Sequence, residues 1–252
     1  MSDKIALVTG GSRGLGRSTA LHLAKKGVGV VITYLKNAEA AESVVNQIEK
    51  DGGEAVAIQL DIADVSQFAS FATRFKESTD QKWNRKSFDF LVNNAGTGAH
   101  SSIAETTEAT FDKMMNEHVK GVFFLTQQLL SIIEDGGKIL NLSSGLTRFS
   151  IAGYAAYASA KAAAEMLTRY LALELGPRGI AVNTIAPGAI ETDFGGGAVR
   201  DNKDLNQYLA SNTAMGRVGL PDDIGGMITS FLVGDNQWVT AQRIEASGGY
   251  SL

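Results

Sequence analysis

The start of the chain limits its fold more than any other stretch. Ile5-Ala6-Leu7-Val8-Thr9 is a short strand-like run that stops at Gly10-Gly11, and Leu15 to Lys26 then carries small and apolar residues at helical spacing. A strand running through a glycine turn into a helix is a βα unit, and it opens the chain. The alternation continues. Gly27 to Thr33 reads as a second strand, Ala38 to Lys50 as a helix stopped by Asp51-Gly52-Gly53, and Ala55-Val56-Ala57-Ile58 as the start of a third strand. A helix over 64–78 presents Phe68, Phe71 and Phe75 as a core stripe, followed by a polar surface connection over 83–86. Phe88 to Val92 predicts a fourth strand, 111–133 one long helix, 138–142 a fifth strand, 155–176 a helix, and 180–185 a sixth strand. A last helix opens at Pro221, and Arg243 to Ala246 ends the pattern as a strand. Near-continuous apolar strands alternating with helices mean an α/β, doubly wound parallel sheet covered on both faces.

At 252 residues, with 44% hydrophobic and 20% charged, the chain supports one such domain over 1–252, and it shows no repeat or linker-like shift. The stretch over 190–214, with Gly195-Gly196-Gly197 and a polar run, breaks the compact pattern and is expected to be a flap over a ligand. A net charge of -4 without long cationic clusters argues against a nucleic-acid partner. The absence of Cys and the scattering of three His (22, 100, 118) argue against a metal site and for a reducing compartment. No apolar run approaches the roughly 20 residues needed to span a bilayer, and the N-terminus lacks a signal-peptide pattern, so a cytoplasmic protein without a membrane partner is expected. The 28 Gly against 3 Pro mark where backbone must turn sharply or approach something closely.

The densest glycine stretch, Thr9-Gly10-Gly11-Ser12-Arg13-Gly14-Leu15-Gly16, lies between the first strand and its helix, where backbone N–H groups and a helix N-terminus can receive a pyrophosphate. Gly11 to Ser18 also reads as a phosphate loop of the form G-x-x-x-x-G-R-S, with Arg in place of the usual Lys. The second strand leads into Ile32-Thr33-Tyr34-Leu35-Lys36-Asn37. An acidic residue there would suit a free ribose 2′-hydroxyl; Arg13 and Lys36 suit a 2′-phosphate, favouring NADP(H), with NAD(H) the alternative. In Tyr157-Ala158-Ser159-Ala160-Lys161 the Tyr and Lys share a helix face, and a nearby ammonium should lower the phenol pKa. Ser144 lies thirteen residues before Tyr157, just past the fifth strand, where parallel sheets bind ligands.

Taken together, these residues resemble the short-chain dehydrogenase/reductase family, including its 3-oxoacyl-acyl-carrier-protein reductases and ketoreductases. T-G-x-x-x-G-x-G at Thr9 to Gly16, Asn93-Asn94-Ala95-Gly96, Ser144, Y-x-x-x-K, Pro187-Gly188 and the Gly248-Gly249 ending follow the family's order over essentially the whole chain. The resemblance implies a Rossmann-type sheet of about seven strands, a nicotinamide cofactor and a homotetramer. It implies that Tyr157 is the acid/base at the carbonyl oxygen, that Ser144 orients it, and that Lys161 holds the nicotinamide ribose and depresses the Tyr157 pKa. For the cofactor it implies Gly10, Ser12, Arg13, Gly14, Leu15 and Gly16 in the loop, with Tyr34 and Lys36 at the second strand end. Asp61 and Ile62 fall at the adenine, Asn93, Ala95 and Gly96 beside the cofactor, and Pro187, Gly188, Ile190 and Thr192 at the nicotinamide end.

One departure stands out. Where the family carries Asn in N-x-x-G, supporting a water in a proton relay to Lys, this chain has His118 in Glu117-His118-Val119-Lys120-Gly121, which would introduce a titratable member. His100 lies near the substrate mouth in sequence. Leu146, Phe149, Ile151 and Tyr154 are expected to form an apolar substrate pocket. The expected reaction is NADP(H)-dependent reduction of a small-molecule ketone, either a 3-oxoacyl thioester or a small or aryl ketone, to a secondary alcohol. The alternatives are an NAD-dependent alcohol or sugar dehydrogenase and a catalytically silent nucleotide sensor, because a fold alone does not define an activity.

Overall fold

A computed structural model describes residues 3–252. Among these residues seven strands form one sheet in the order β3-β2-β1-β4-β5-β6-β7, and every adjacent pair is parallel. The strands are β1 (Ile5–Val8), β2 (Gly29–Tyr34), β3 (Ala55–Gln59), β4 (Phe88–Asn93), β5 (Ile133–Leu142), β6 (Ala181–Pro187) and β7 (Arg243–Ala246). Helices α1 (Gly14–Lys25), α2 (Ala38–Lys50) and α9 (Pro221–Val233) go with one face, whose core holds Val8, Leu23, Val30, Ile32, Leu140 and Ile228. Helices α3 (Phe68–Trp83), α4 (Glu108–Met115), α5 (Gly121–Leu129) and α6 (Ala155–Leu175) go with the other, around Leu7, Phe71, Phe75, Leu91, Leu125 and Val182. The order reverses between β1 and β4, which opens a crevice outside the carboxyl ends of the strands where such sheets take ligands.

The structure corrects several expectations. Trp83 belongs to α3 and is only 5% exposed. Its indole packs where a side chain on Gly29 would otherwise sit, and Nε1 donates to Glu54 Oε2 at 3.1 Å. The first residue of the expected connection is therefore core, because its aromatic ring fills the space that a glycine leaves in the neighbouring strand, while Asn84 and Lys86 are exposed as expected. The expected long helix over 111–133 is interrupted at Asn116–Lys120 by a π-turn, and Ile133 begins β5. Gly121 lies against the backbone carbonyl of Ile62, where any Cβ would collide. Such π-turns concentrate at functional sites.

The segment over 190–214 is more ordered than a bare flap. It contains a 3-10 turn (Phe194–Gly197), α7 (Ala198–Asp201) and α8 (Lys203–Ser211), the last capped by Asn202 Oδ1 accepting from Leu205 N at 3.0 Å. Leu209 of α8 anchors it in a small apolar cluster with Val218 and Tyr250. Among the described residues no helix is long and apolar enough to cross a membrane, and no group of His, Cys, Asp or Glu is arranged to hold a metal ion.

Candidate active site

The glycine loop is shaped by side chains it lacks. A Cβ on Gly16 would collide with Gly10 O, and one on Gly10 would come within 2.9 Å of Ala95 Cα. Gly10 itself has φ +65, in the left-handed region. Thr9 Oγ1 accepts from Asn94 N and Ala95 N, both at 2.9 Å, while Asn94 Nδ2 donates to Thr9 O at 2.8 Å and Gly10 O at 3.1 Å. The turn after β4 is thus laced to the turn after β1. Arg13, exposed at the start of α1, provides no side-chain cap, and the first turn of that helix carries no acid, so its N–H groups and dipole suit an anion. A Cβ on Gly14 would lie 3.7 Å from the Thr192 side chain, so the segment after β6 comes over the loop. This tight, acid-free cradle fits a dinucleotide pyrophosphate. The phosphate-loop alternative fails on Ser18, which is buried and donates to Asp222 Oδ1 at 2.6 Å, toward α9 rather than the cleft.

The remaining expected cofactor residues divide in two. Ser12, Leu15, Tyr34, Lys36, Asp61, Ala95, Pro187, Gly188, Ile190 and Thr192 lie on or just beyond the carboxyl ends of the strands, with Lys36 exposed and Asp61 Oδ1 turning its own loop by accepting from Ala63 N at 2.9 Å. Ile62 is a core residue, 8% exposed. The side chain of Asn93 also points inward: Nδ2 donates to Asn141 Oδ1 at 2.8 Å and Thr126 Oγ1 at 3.2 Å. Asn141 passes the chain of bonds to Thr168, which pairs with Thr184 at 2.7 Å. Because its amide nitrogen is spent on these inward bonds, the Asn93 side chain is structural and its neighbour Asn94 is the clamp. Gly96, at φ +153, also serves the protein interior, because a Cβ there would strike the His118 ring.

Ser144, Tyr157 and Lys161 meet at the carboxyl end of β5. Tyr157 and Lys161 occupy successive turns of α6, each 6% exposed. The Ser144 hydroxyl lies close enough to the Tyr157 hydroxyl to favour the ionised phenol. Because Leu146 N donates to Ser144 Oγ at 3.3 Å, the Ser144 proton is left for Tyr157. Lys161 Nζ donates to Leu142 O at 2.7 Å and lies 5.7 Å from the centre of the Tyr157 ring. Burial lowers the Lys161 pKa to about 8, opposed by the nearby Glu117 carboxylate. The expected depression of the Tyr157 pKa is not what this environment produces. Burial raises it, with Tyr154 adding to the rise, and only the Ser144 hydrogen bond works the other way. A phenol in this environment keeps its proton.

His118 lies beside this group, its ring edge-on to Tyr157 at 5.3 Å between centroids. Nε2 meets Thr97 O at 2.7 Å; since a carbonyl only accepts, Nε2 carries the proton and Nδ1 keeps a lone pair, which has no partner among the described residues. Burial, reinforced by the Lys161 charge, lowers the His118 pKa to about 3. The expected titratable relay member is therefore a neutral imidazole at any working pH. Glu117, which the sequence reading passed over, grips the same residue: Thr97 N and Oγ1 both donate to Glu117 Oε2 at 2.7 Å. The π-turn thus holds Thr97 with two consecutive side chains. Only the mismatch at His118 hinted at it in sequence.

The apolar wall is narrower than expected. Leu146 and Tyr154 pack with Tyr157 and Met114, whereas Phe149 turns away onto Tyr250 (4.9 Å between centroids) and Ile151 faces solvent. His100 stands edge-on to Tyr154 at 5.0 Å. Phe194, from the 3-10 turn after β6, lies 5.6 Å from the Tyr157 ring, and a Cβ on Gly98 would come within 2.6 Å of its ring.

A strand-end glycine cradle beside a Ser, Tyr and Lys cluster on a seven-stranded parallel sheet defines a class, and the matches to known proteins agree. A family profile described as enoyl-(acyl carrier protein) reductase matches residues 10–251. The chain belongs to the short-chain dehydrogenase/reductase family and is an NAD(P)-dependent oxidoreductase acting on C=O and CH–OH groups. It is 35% identical over 260 residues to the hydroxynaphthalene reductase-like protein Arp2 of Metarhizium brunneum, covering 99% of this chain and 95% of that one. Among solved structures it resembles the promiscuous reductase LugOII, which catalyses keto-reduction at C1 during lugdunomycin biosynthesis, with TM-score 0.95, 35% identity and coverage of 100% and 99%. It also resembles the angucycline C-6 ketoreductase LanV with bound NADP, at TM-score 0.94, 34% identity and coverage of 99% and 96%.

Proposed function

We propose that the protein reduces a flat aromatic or polycyclic ketone to a secondary alcohol with NADPH, Tyr157 giving its hydroxyl proton to the carbonyl oxygen. The observation that carries this reading is the buried Tyr157 phenol, with the Ser144 hydroxyl acting on it and Lys161 Nζ 5.7 Å from its ring centre, at the carboxyl end of the sheet. The nicotinamide, when bound, supplies the hydride. The ketone carbon gains that hydride, its oxygen gains the Tyr157 proton, and the resulting phenolate faces Ser144 with the Lys161 ammonium nearby. His118 is a positioning residue: it fixes Thr97 and supports the edge of the Tyr157 ring.

For the cofactor, Gly10 to Gly16 would receive the pyrophosphate, and Arg13 and Lys36 the 2′-phosphate, since Tyr34-Leu35-Lys36-Asn37 offers no carboxylate to a free 2′-hydroxyl. The relative solved with NADP supports this assignment. For the substrate, Phe194 over Tyr157, seated against Gly98, and the His100–Tyr154 pair form an aromatic slot, and the similar proteins bear names of reductases of fused-ring ketones. The segment over 190–214 covers this slot. Exposed apolar side chains on one stripe of α6 (Met166, Tyr170, Leu173) and on α5 (Phe123, Phe124) support self-association into the homotetramer that the family resemblance implies.

The test is loss of reduced-nicotinamide absorbance with NADPH and NADH in parallel, across a tetralone, a hydroxynaphthalenone and an acetoacetyl thioester. Turnover of the bicyclic ketones with NADPH supports the reading; turnover of the thioester alone, or preference for NADH, overturns its substrate or cofactor half.

A further inference from the structure

Ser144 depends on a carboxylate that lies outside the reacting group. Glu165 follows Lys161 by one helical turn, so Tyr157, Lys161 and Glu165 are spaced four apart along one face of α6. The Glu165 side chain is 20% exposed, and a single oxygen, Oε1, accepts from both sides of the Ser144 turn: from Ser143 Oγ at 2.6 Å and from Thr147 Oγ1 at 2.7 Å. The same oxygen accepts from Arg243 Nε of β7 at 2.8 Å. Arg243 Nη2 in turn donates to Ser144 O at 3.3 Å. Ser144 is therefore held through its own carbonyl and through the residue before it and the residue three after it, while its hydroxyl is left for Tyr157.

The anchorage extends outward as alternating charges. Arg243 Nη1 donates to Glu245 Oε2 at 3.0 Å, and Arg148, at the end of the Ser144 turn, meets Glu245 with Nε and Nη2, both at 2.8 Å. Arg148 also donates to Tyr250 O at 2.5 Å and Ser251 O at 2.9 Å. Two carboxylates and two guanidiniums in sequence, Glu165, Arg243, Glu245 and Arg148, neutralise one another and tie β7 and the residues after it to the Ser144 turn. A network that joins one bidentate pair to part-buried pairs holds geometry better than isolated surface pairs do.

We infer that Glu165 is a positioning residue for the reduction: it locks the turn that carries Ser144 to the helix that carries Tyr157, and so sets the Ser144–Tyr157 hydrogen bond. This rests on the reading in which Ser144 acts on the Tyr157 hydroxyl. A displacement of about 1 Å at such a contact lowers rates by up to about 10²-fold while leaving remote binding intact.

The experiment is a double-mutant cycle of Glu165→Gln and Ser144→Ala on the full chain, with NADPH affinity by fluorescence titration and thermal unfolding read beside kcat and KM. Glu165→Gln is expected to lower kcat about 10-fold in the wild-type background, with NADPH affinity and ketone KM unchanged, and to cost less than about twofold once Ser144 is Ala. Glu165→Asp should recover part of the loss. Should Glu165→Gln unfold early, Ser143→Ala removes one of the three donors to Oε1 without touching charge, and about a threefold loss that vanishes in the Ser144→Ala background makes the same case. Losses that add independently of Ser144, or a wild-type kcat in Glu165→Gln, overturn the inference. A wild-type kcat in Ser144→Ala overturns instead the reading of Ser144 on which it rests.

Discussion

The half of the molecule built on β1 to β4 and the half built on β5 to β7 make their parts of the cleft by opposite means. In the first half the cleft is shaped by missing side chains: Gly10 and Gly16 let backbones meet where a Cβ would not fit, and one Asn and one Thr fasten the two turns together. In the second half it is filled by long polar side chains bonded to one another, with Lys161 beside the buried Tyr157 phenol and Glu165, Arg243 and Glu245 behind the Ser144 turn. The first construction offers N–H groups and space, which suits binding. The second perturbs protonation, since burial drives both the Tyr157 and Lys161 equilibria toward the neutral forms, and that suits chemistry. Binding and proton transfer should therefore fail separately.

The largest expected effect is that of Tyr157→Phe. General-acid contributions of about 10²–10⁴-fold should disappear from kcat, while fluorescence titration finds NADPH affinity within about twofold of wild type; weakened cofactor binding would blur the two halves. Gly16→Ala should do the reverse. Its methyl group meets Gly10 O, and overpacking of about 1–3 kcal/mol should appear as weaker NADPH binding and a lower melting temperature, with the pH dependence of the residual activity unchanged.

A subtler outcome is expected from pH. Because the Lys161 pKa is lowered to about 8, its ammonium is present below that pH and lost above it, so reductive kcat/KM should fall on the alkaline side with that midpoint. Glu117 is the group that favours the ammonium, so Glu117→Gln should move the alkaline limb toward neutrality; a limb that stays in place would remove Glu117 from the electrostatics of the site. The smallest effect is assigned to His118→Asn: a loss in kcat of about threefold, the scale of one altered hydrogen bond, without change in the shape of the pH profile, because an imidazole with its pKa near 3 does not titrate in the working range. A new or missing limb in that variant would restore His118 as a titrating participant.

Much of this was legible from residues alone. The glycine loop, the lack of an acid after β2, and Tyr157 and Lys161 four apart on a helix are local patterns, and local patterns survive in a linear text. What could not be read there depends on partners distant in sequence. Trp83 looked like surface because the space it fills belongs to Gly29; Asn93 and Asn94 looked alike until the first was seen to face Asn141 and the second Thr9; Phe149 looked like pocket lining until Tyr250 took it. The break in the helix before Gly121 followed from a close approach to Ile62, about sixty residues away.

The amino-acid sequence by itself determined the parallel α/β sheet, and it carried the glycine loop and the Ser, Tyr and Lys on which the proposed function rests, because periodicity, glycine and side-chain chemistry act over a few residues. Only the tertiary structure decided the protonation of the site and the grip on Ser144. Desolvation and convergence on one carboxylate oxygen depend on what surrounds a group in space, and those surroundings come from strands and helices far apart along the chain.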